Sequence, residues 1–142
     1  MKRYTSTKGS LYERWANRYV FRQKNKVRVI KADNPDLEKI EGGLFTKVHR
    51  DIDHYDETTG EIWETKIYSK DTVPDREQLH DYRIMEESGE IKASDGRMIL
   101  INDVNYVFSD IEAARTNRSL IRLEGGGSVW YIDDMGTLTF LP

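Results

Sequence analysis

Glu64-Thr65-Lys66 lies in a strand-like run over 61–68, one turn after Asp53. Side chains on a strand alternate between faces, so Glu64 and Lys66 point the same way. The turn at 56–60, with Thr58-Thr59-Gly60, predicts a hairpin that brings Asp53 alongside them. Asp51 shares a strand face with Asp53 and competes with it. Asp53 is preferred because it pairs more closely with Glu64 across the turn, and Asp56 is assigned to the turn itself. Two carboxylates beside one ammonium suit a hard, oxygen-preferring cation, Mg²⁺ or Mn²⁺, that keeps several waters and takes phosphate oxygens. Such an ion orients water, lowers its pKa and offsets developing charge. Lys66 is placed to hydrogen-bond the attacking water or to stabilise transition-state charge. The chemistry this set would suit is phosphodiester hydrolysis. Glu13, on a predicted first helix, can reach the waters of the ion, although Ser10 and Glu13 also fit a helix capping box. Gln78, on a later helix, can position substrate or Lys66.

Other chemistries find less support. The chain has no cysteine, which excludes disulfides, zinc–thiolate sites and cysteine nucleophiles. His49, His54 and His80 form no tight pair at ligand spacing and read as isolated surface residues. Gly125-Gly126-Gly127 lacks the Lys-Ser/Thr of a phosphate-binding loop and reads as a flexible hinge. Trp63 and Trp130 read as packing residues of strands.

The elements that must hold these groups follow from periodicity and punctuation. Residues 1–8 read as a flexible start and 10–22 as an amphipathic helix carrying Leu11, Trp15 and Phe21. A strand over 26–32 places Val27 and Val29 on one face. Pro35 breaks the pattern, and 37–41 reads as a short helical turn. Strands at 44–55 and 61–68 flank the turn. A helix opens at 71–74, capped by Asp71 or Thr72, carries Leu79, Tyr82 and Met85 as its apolar stripe, and ends at Gly89. Residues 90–96 read as a polar connection, and 98–101 with 105–108 as strands, or as one irregular strand. Ser109 and Glu112 fit a capping box for a helix to about 122. Residues 125–142 hold a final hairpin, with strands at 128–132 and 137–141. The whole, 1–142, is read as one domain, α/β or α+β, with a mixed central β-sheet flanked by helices.

In this order the chain resembles the PD-(D/E)XK, or restriction-endonuclease-like, nuclease superfamily. The matching features are Gly9-x-x-x-Glu13-x-x-Ala16-x-x-Tyr19 for the first helix, Asp53 for the strand aspartate, Glu64-Thr65-Lys66 for the Glu-x-Lys tripeptide, and Gln78-Leu79-x-x-Tyr82 for the following helix. The resemblance covers roughly 9–122. No proline precedes Asp53, a departure that many family members share. The resemblance implies a restriction-endonuclease-like sandwich and a metal-dependent endonuclease. It implies Asp53, Glu64 and the Thr65 backbone carbonyl as metal ligands, and Asp53, Glu64, Lys66, Glu13 and Gln78 as the catalytic set. DNA is favoured over RNA as substrate. The compact hairpin is similar to toxin nuclease domains of bacterial competition systems. That implies action in the bacterial cytoplasm, delivery within a secreted effector, and an immunity protein as partner.

Charge is distributed unevenly. Residues 1–31 hold ten Lys or Arg and one acid, whereas 32–142 hold twelve basic and twenty-four acidic residues. A basic first helix with interleaved aromatics fits a phosphate backbone, with Arg14, Arg18 and Arg22 as substrate contacts. The acidic remainder supports a different class, a non-catalytic acidic binding or immunity protein with a nuclease-like fold. With 37% hydrophobic residues the chain can build one core. The mean hydropathy of −0.73 argues for a solvated surface. No membrane segment or secretory signal is expected, since no apolar run approaches the ~20 residues that span a bilayer.

Overall fold

The computed structural model describes residues 25–38, 47–66 and 75–142. Strand β1 (Asn25–Ile30) leads through a 3₁₀ turn (Lys31–Asp33) into the one-turn helix α1 (Pro35–Glu38). Strands β2 (His49–Asp56) and β3 (Glu61–Lys66) form the expected hairpin. Helix α2 (Arg76–Ser88), a small hairpin of β4 (Glu90–Lys92) and β5 (Met98–Leu100), and β6 (Asp103–Phe108) follow. Helix α3 (Ile111–Leu120) runs into a π turn (Ile121–Gly125), and β7 (Ser128–Ile132) and β8 (Leu138–Leu141) close the chain.

Six strands make one mixed sheet in the order β1-β2-β3-β6-β7-β8. The β1-β2-β3 meander is antiparallel, β3-β6 and β6-β7 are parallel, and β7-β8 is antiparallel. Each parallel step needs a crossover. α2 supplies the first and α3 the second. Leu79, Tyr82 and Met85 of α2, with Ala113 and Ala114 of α3, share one core with Ile52, Tyr55, Ile62, Val104, Tyr106, Phe108 and Val129 of the sheet. Both helices therefore cover the same face. The α/β class and the mixed central sheet agree with the sequence reading.

Several local expectations are corrected. α2 is capped by Asp75, not by Asp71 or Thr72, because the Asp75 carboxylate accepts the Glu77 N–H at 3.0 Å. α3 is capped by Asp110 rather than by a Ser109–Glu112 box, since its carboxylate accepts the Ala113 N–H at 2.8 Å. The supposed connection at 90–96 contains β4, which pairs with β5 in its own two-stranded sheet, so 98–101 and 105–108 do not form one strand. Trp63 and Trp130 do pack, but against each other on the face away from the helices, 5.8 Å apart, with Phe140 against Trp130. The expected helix at 10–22 lies outside the described residues. Among those described, no helix is long and apolar enough to cross a membrane.

The triple glycine is a packed corner rather than a hinge. Gly126 takes a left-handed backbone, φ 71°, to end the π turn. A Cβ on Gly127 would come within 2.7 Å of the Tyr106 ring and 2.8 Å of the Val104 carbonyl oxygen. Neither the strand backbone nor the buried ring can retreat cheaply. Gly127→Ala should therefore destabilise the protein by about 1–3 kcal/mol through overpacking. Urea denaturation measures this, and a wild-type midpoint would contradict the close approach.

Candidate active site at the β2 bulge

The pairing of β1 with β2 shifts between Asn25↔Tyr55 and Val27↔Ile52. One residue of β1, Lys26, thus faces two of β2, Asp53 and His54. This is a β-bulge, a device that redirects side chains and often lies beside functional sites. On its other side β2 pairs with β3 at Tyr55↔Ile62 and Asp56↔Glu61. The β2–β3 ladder ends at Tyr55↔Ile62, and Asp53 and Glu64 are each two residues beyond it on their strands. Asp56 holds the turn as expected, accepting the N–H groups of Thr58 at 2.9 Å and Thr59 at 3.3 Å. The competitor Asp51 is committed elsewhere: Arg28 donates to it from Nε at 2.7 Å and from Nη2 at 3.2 Å. That pairing holds the Asp51 carboxyl below its usual range.

Glu64 pairs with Tyr106 in the parallel register and receives a long hydrogen bond, 3.5 Å, from the Tyr82 hydroxyl. Tyr82 is fully buried, and its hydroxyl is pushed well above the usual tyrosine range. Burial is the main cause, followed by the charge of Glu64, with Tyr106 and Asp53 adding and Arg50 opposing. Both candidate carboxylates therefore act on one buried hydroxyl, which stays a proton donor. Asp53 is exposed and shares an open cleft of about 550 Å³ with Gln78, Lys47, His49 and Arg50. Asp53 and Gln78 thus share the cleft, while Glu64 lies on the neighbouring strand β3 and meets Tyr82 of α2. Lys66 follows Glu64 by one alternation, with its backbone opposite Phe108. Thr65 pairs with Val107, and its residue phase is that of the opposite face. Glu13, Arg14, Arg18 and Arg22 lie outside the described residues.

Among the described residues no group of three or more His, Asp or Glu converges as a metal cage. The donors that do share a neighbourhood, Asp53 and Glu64, are two carboxylates. That set fits Mg²⁺, which binds through one or two carboxylates and completes its shell with water and phosphate oxygens.

Sequence reasoning missed a ring of buried charge behind this cleft. Lys31, Arg50, Glu77 and Asp81 are 5%, 6%, 8% and 0% exposed. Arg50 donates from Nε to Asp81 at 2.9 Å and from Nη2 to Glu77 at 3.5 Å. Lys31 Nζ lies 3.1 Å from Asp81 and 3.4 Å from Glu77. Each anion touches both cations, so the ring ties β2 and the turn after β1 to α2. The signal was present in the phase of the residues: Arg50 alternates with Ile52, Lys31 with Val27 and Val29, and Glu77 and Asp81 stand one helical turn apart. His80 was also misjudged as isolated. Its Nε2 lies 2.5 Å from Glu124 in the π turn, and Arg76 adds a 3.0 Å contact to the same carboxylate.

A second acidic group has the opposite electrostatic setting. The Val104 N–H donates to Asp103 at 2.9 Å, and Glu86 lies nearby with a buried, unpartnered Oε2. Burial and then the Asp103 charge raise the Glu86 carboxyl to about 7, and burial likewise raises Asp103.

No protein-family model, no curated protein and no solved structure matches this chain. Function must be argued from the site.

The folded-state pKa of Glu86 lies above the ordinary carboxylate value. Its contribution to stability is complete in acid and is lost as pH rises through about 7. Glu86→Gln should thus gain on the wild type between pH 5 and pH 8, by about 1 kcal/mol once solvent screening of a partly exposed group is allowed for. Urea titrations at the two pH values measure the difference. A variant stability relative to the wild type that stays constant or falls toward pH 8 would contradict the raised pKa.

Proposed function

We propose that this protein is a metal-dependent endonuclease, with DNA favoured over RNA, and that its site is built on Asp53, Glu64 and Lys66. The observation that supports the reading is the placement of Asp53 in one cleft with Gln78, with Glu64 held on the neighbouring strand by the Tyr82 hydroxyl. The sheet supports it, since an antiparallel meander followed by a parallel strand after α2 is compatible with the restriction-endonuclease-like layout that the motifs suggest.

Asp53 and Glu64 would hold Mg²⁺ or Mn²⁺, with the Thr65 carbonyl oxygen as a further ligand. When bound, the ion supplies an activated water and neutralises charge on the phosphate. Tyr82 keeps one Glu64 oxygen in place by donating its hydroxyl. Because that hydroxyl resists ionisation, it remains a donor at any pH at which the protein works. Lys66, whose side chain lies outside the described atoms, follows Glu64 by one alternation and is proposed to supply an ammonium to the attacking water or to a phosphate oxygen. Gln78 offers an amide to substrate from the cleft wall. In a toxin setting this would be the cargo domain of a secreted effector acting in a bacterial cytoplasm, with an immunity protein covering the cleft.

The excess of acids over bases in residues 32–142 favours a second reading, an acidic binding or immunity protein that keeps the fold without the chemistry. Cleavage separates the two. Purified protein should nick supercoiled plasmid or cut RNA with Mg²⁺ or Mn²⁺ and fall silent in EDTA. Asp53→Asn, Glu64→Gln and Lys66→Ala should each lower the rate by at least about 10²-fold, with circular dichroism unchanged. Wild-type protein inert on supercoiled DNA, single-stranded DNA and total tRNA would favour the binding protein.

A further inference from the structure

The charge ring behind the cleft has no evident reason to exist as a stabilising element. Four ionised groups withdrawn from water lose hydration that their mutual attraction only partly restores, and well-packed apolar replacements of such clusters are often as stable or more so. A closed ring does supply orientation. The guanidinium fork of Arg50 engages Asp81 and Glu77 at fixed angles, and Lys31 closes the opposite side. Glu77 and Asp81 immediately precede Gln78 and Tyr82 on α2, so locking the first pair sets the rotation of the second about the helix axis. Arg50 stands three residues before Asp53 on β2, and it lines the cleft that contains Asp53 and Gln78. Its charge acts on the buried hydroxyls of Tyr82 and Tyr106, the two tyrosines that flank Glu64.

We infer that Arg50 and Asp81, closed by Lys31 and Glu77, are positioning residues that register α2 against the β2 bulge and so hold Asp53, Glu64 and Tyr82 in their metal-binding arrangement. This inference rests on the reading of Asp53 and Glu64 as cation ligands. Groups that orient metal ligands from behind typically change metal affinity about 10–100-fold when removed. The ring should therefore matter to the cation and little to the fold.

The test replaces the pair by apolar residues of similar reach, Arg50→Met with Asp81→Leu, in the full chain. Thermal unfolding and Mn²⁺ affinity are measured together, the latter from the free-ion signal in electron paramagnetic resonance titrations. The double variant should melt within about 4 °C of the wild type and bind Mn²⁺ at least about tenfold more weakly. Arg50→Lys is a second variant that keeps the charge and loses the fork. It should fold and show a smaller loss, about threefold to tenfold. Mn²⁺ affinity within twofold of the wild type in either folded variant overturns the positioning role and leaves the enzyme reading standing. Wild-type protein that binds no Mn²⁺ overturns both.

Discussion

The layer between β2 and α2 has to accommodate ionised side chains where a small protein would ordinarily place leucines. Asp81 is completely buried, and Arg50 reaches it across the layer at 2.9 Å. Losing either leaves the other with a single counter-ion, Lys31 for Asp81 or Glu77 for Arg50, and an under-compensated buried charge is destabilising. Helix α2 therefore has one acceptable rotation on the sheet. Leu79, Tyr82 and Met85 are driven into the core in that rotation, and Gln78 is left at the cleft. Apolar contacts alone would tolerate small rotations of the helix with little loss, because hydrophobic attraction is non-directional. The ring converts a permissive packing surface into a specific one.

The same helix meets acids at both ends of the sheet under different electrostatic conditions. Near its N-terminus Glu64 has Tyr82 as a donor, and Arg50 supplies positive charge nearby. Near its C-terminus Glu86 and Asp103 lie close together, and burial raises both. The contrast follows from the partners. A carboxylate with a hydroxyl donor and a cation nearby can offer its oxygens to an ion, whereas a desolvated like-charged pair favours a bound proton. An ion site needs the first condition, and for that reason the bulge is a better candidate than the more conspicuous acidic pair at the far end of α2.

Much of the sheet was legible in the sequence because its signals are local. Val27 and Val29 announce β1 by alternation, Asp56-x-Thr58-Thr59-Gly60 announces the hairpin, and the Leu79–Tyr82–Met85 stripe announces α2. The turn itself formed where expected, and hairpin geometry fixes the register of its last pairs, Tyr55↔Ile62 and Asp56↔Glu61. What stayed hidden depended on tertiary context. Lys31, Arg50, Glu77 and Asp81 are residue types that almost never lie fully buried unless paired, and the pairing spans up to 50 positions of sequence (Lys31 to Asp81). β4 has one apolar residue, Ile91, between Glu90 and Lys92, too little pattern to distinguish it from a polar loop. The helix caps were displaced by one to four residues because serine, threonine and aspartate all qualify as caps. Only the fold decides which oxygen meets an unpaired N–H.

The bulge resolves a conflict of parity that a regular strand could not. Pairing with β1 puts Arg50 and Ile52 on the helix-covered face, opposite Val29 and Val27. Pairing with β3 puts Tyr55 on that face opposite Ile62, and Asp53 is in phase with Tyr55. Residues 50 and 53 differ by an odd number, so in an uninterrupted strand they would point to opposite sides of the sheet. The extra residue opposite Lys26 shifts the phase by one, and both then act on the same tyrosine hydroxyl. The ring that fixes α2 and the Asp53 carboxylate can occupy one side of the molecule only because the strand joining them is irregular between them. A bulge at this point weakens local pairing, and the structure retains it where it links the most constrained charge in the core to the exposed acid of the cleft.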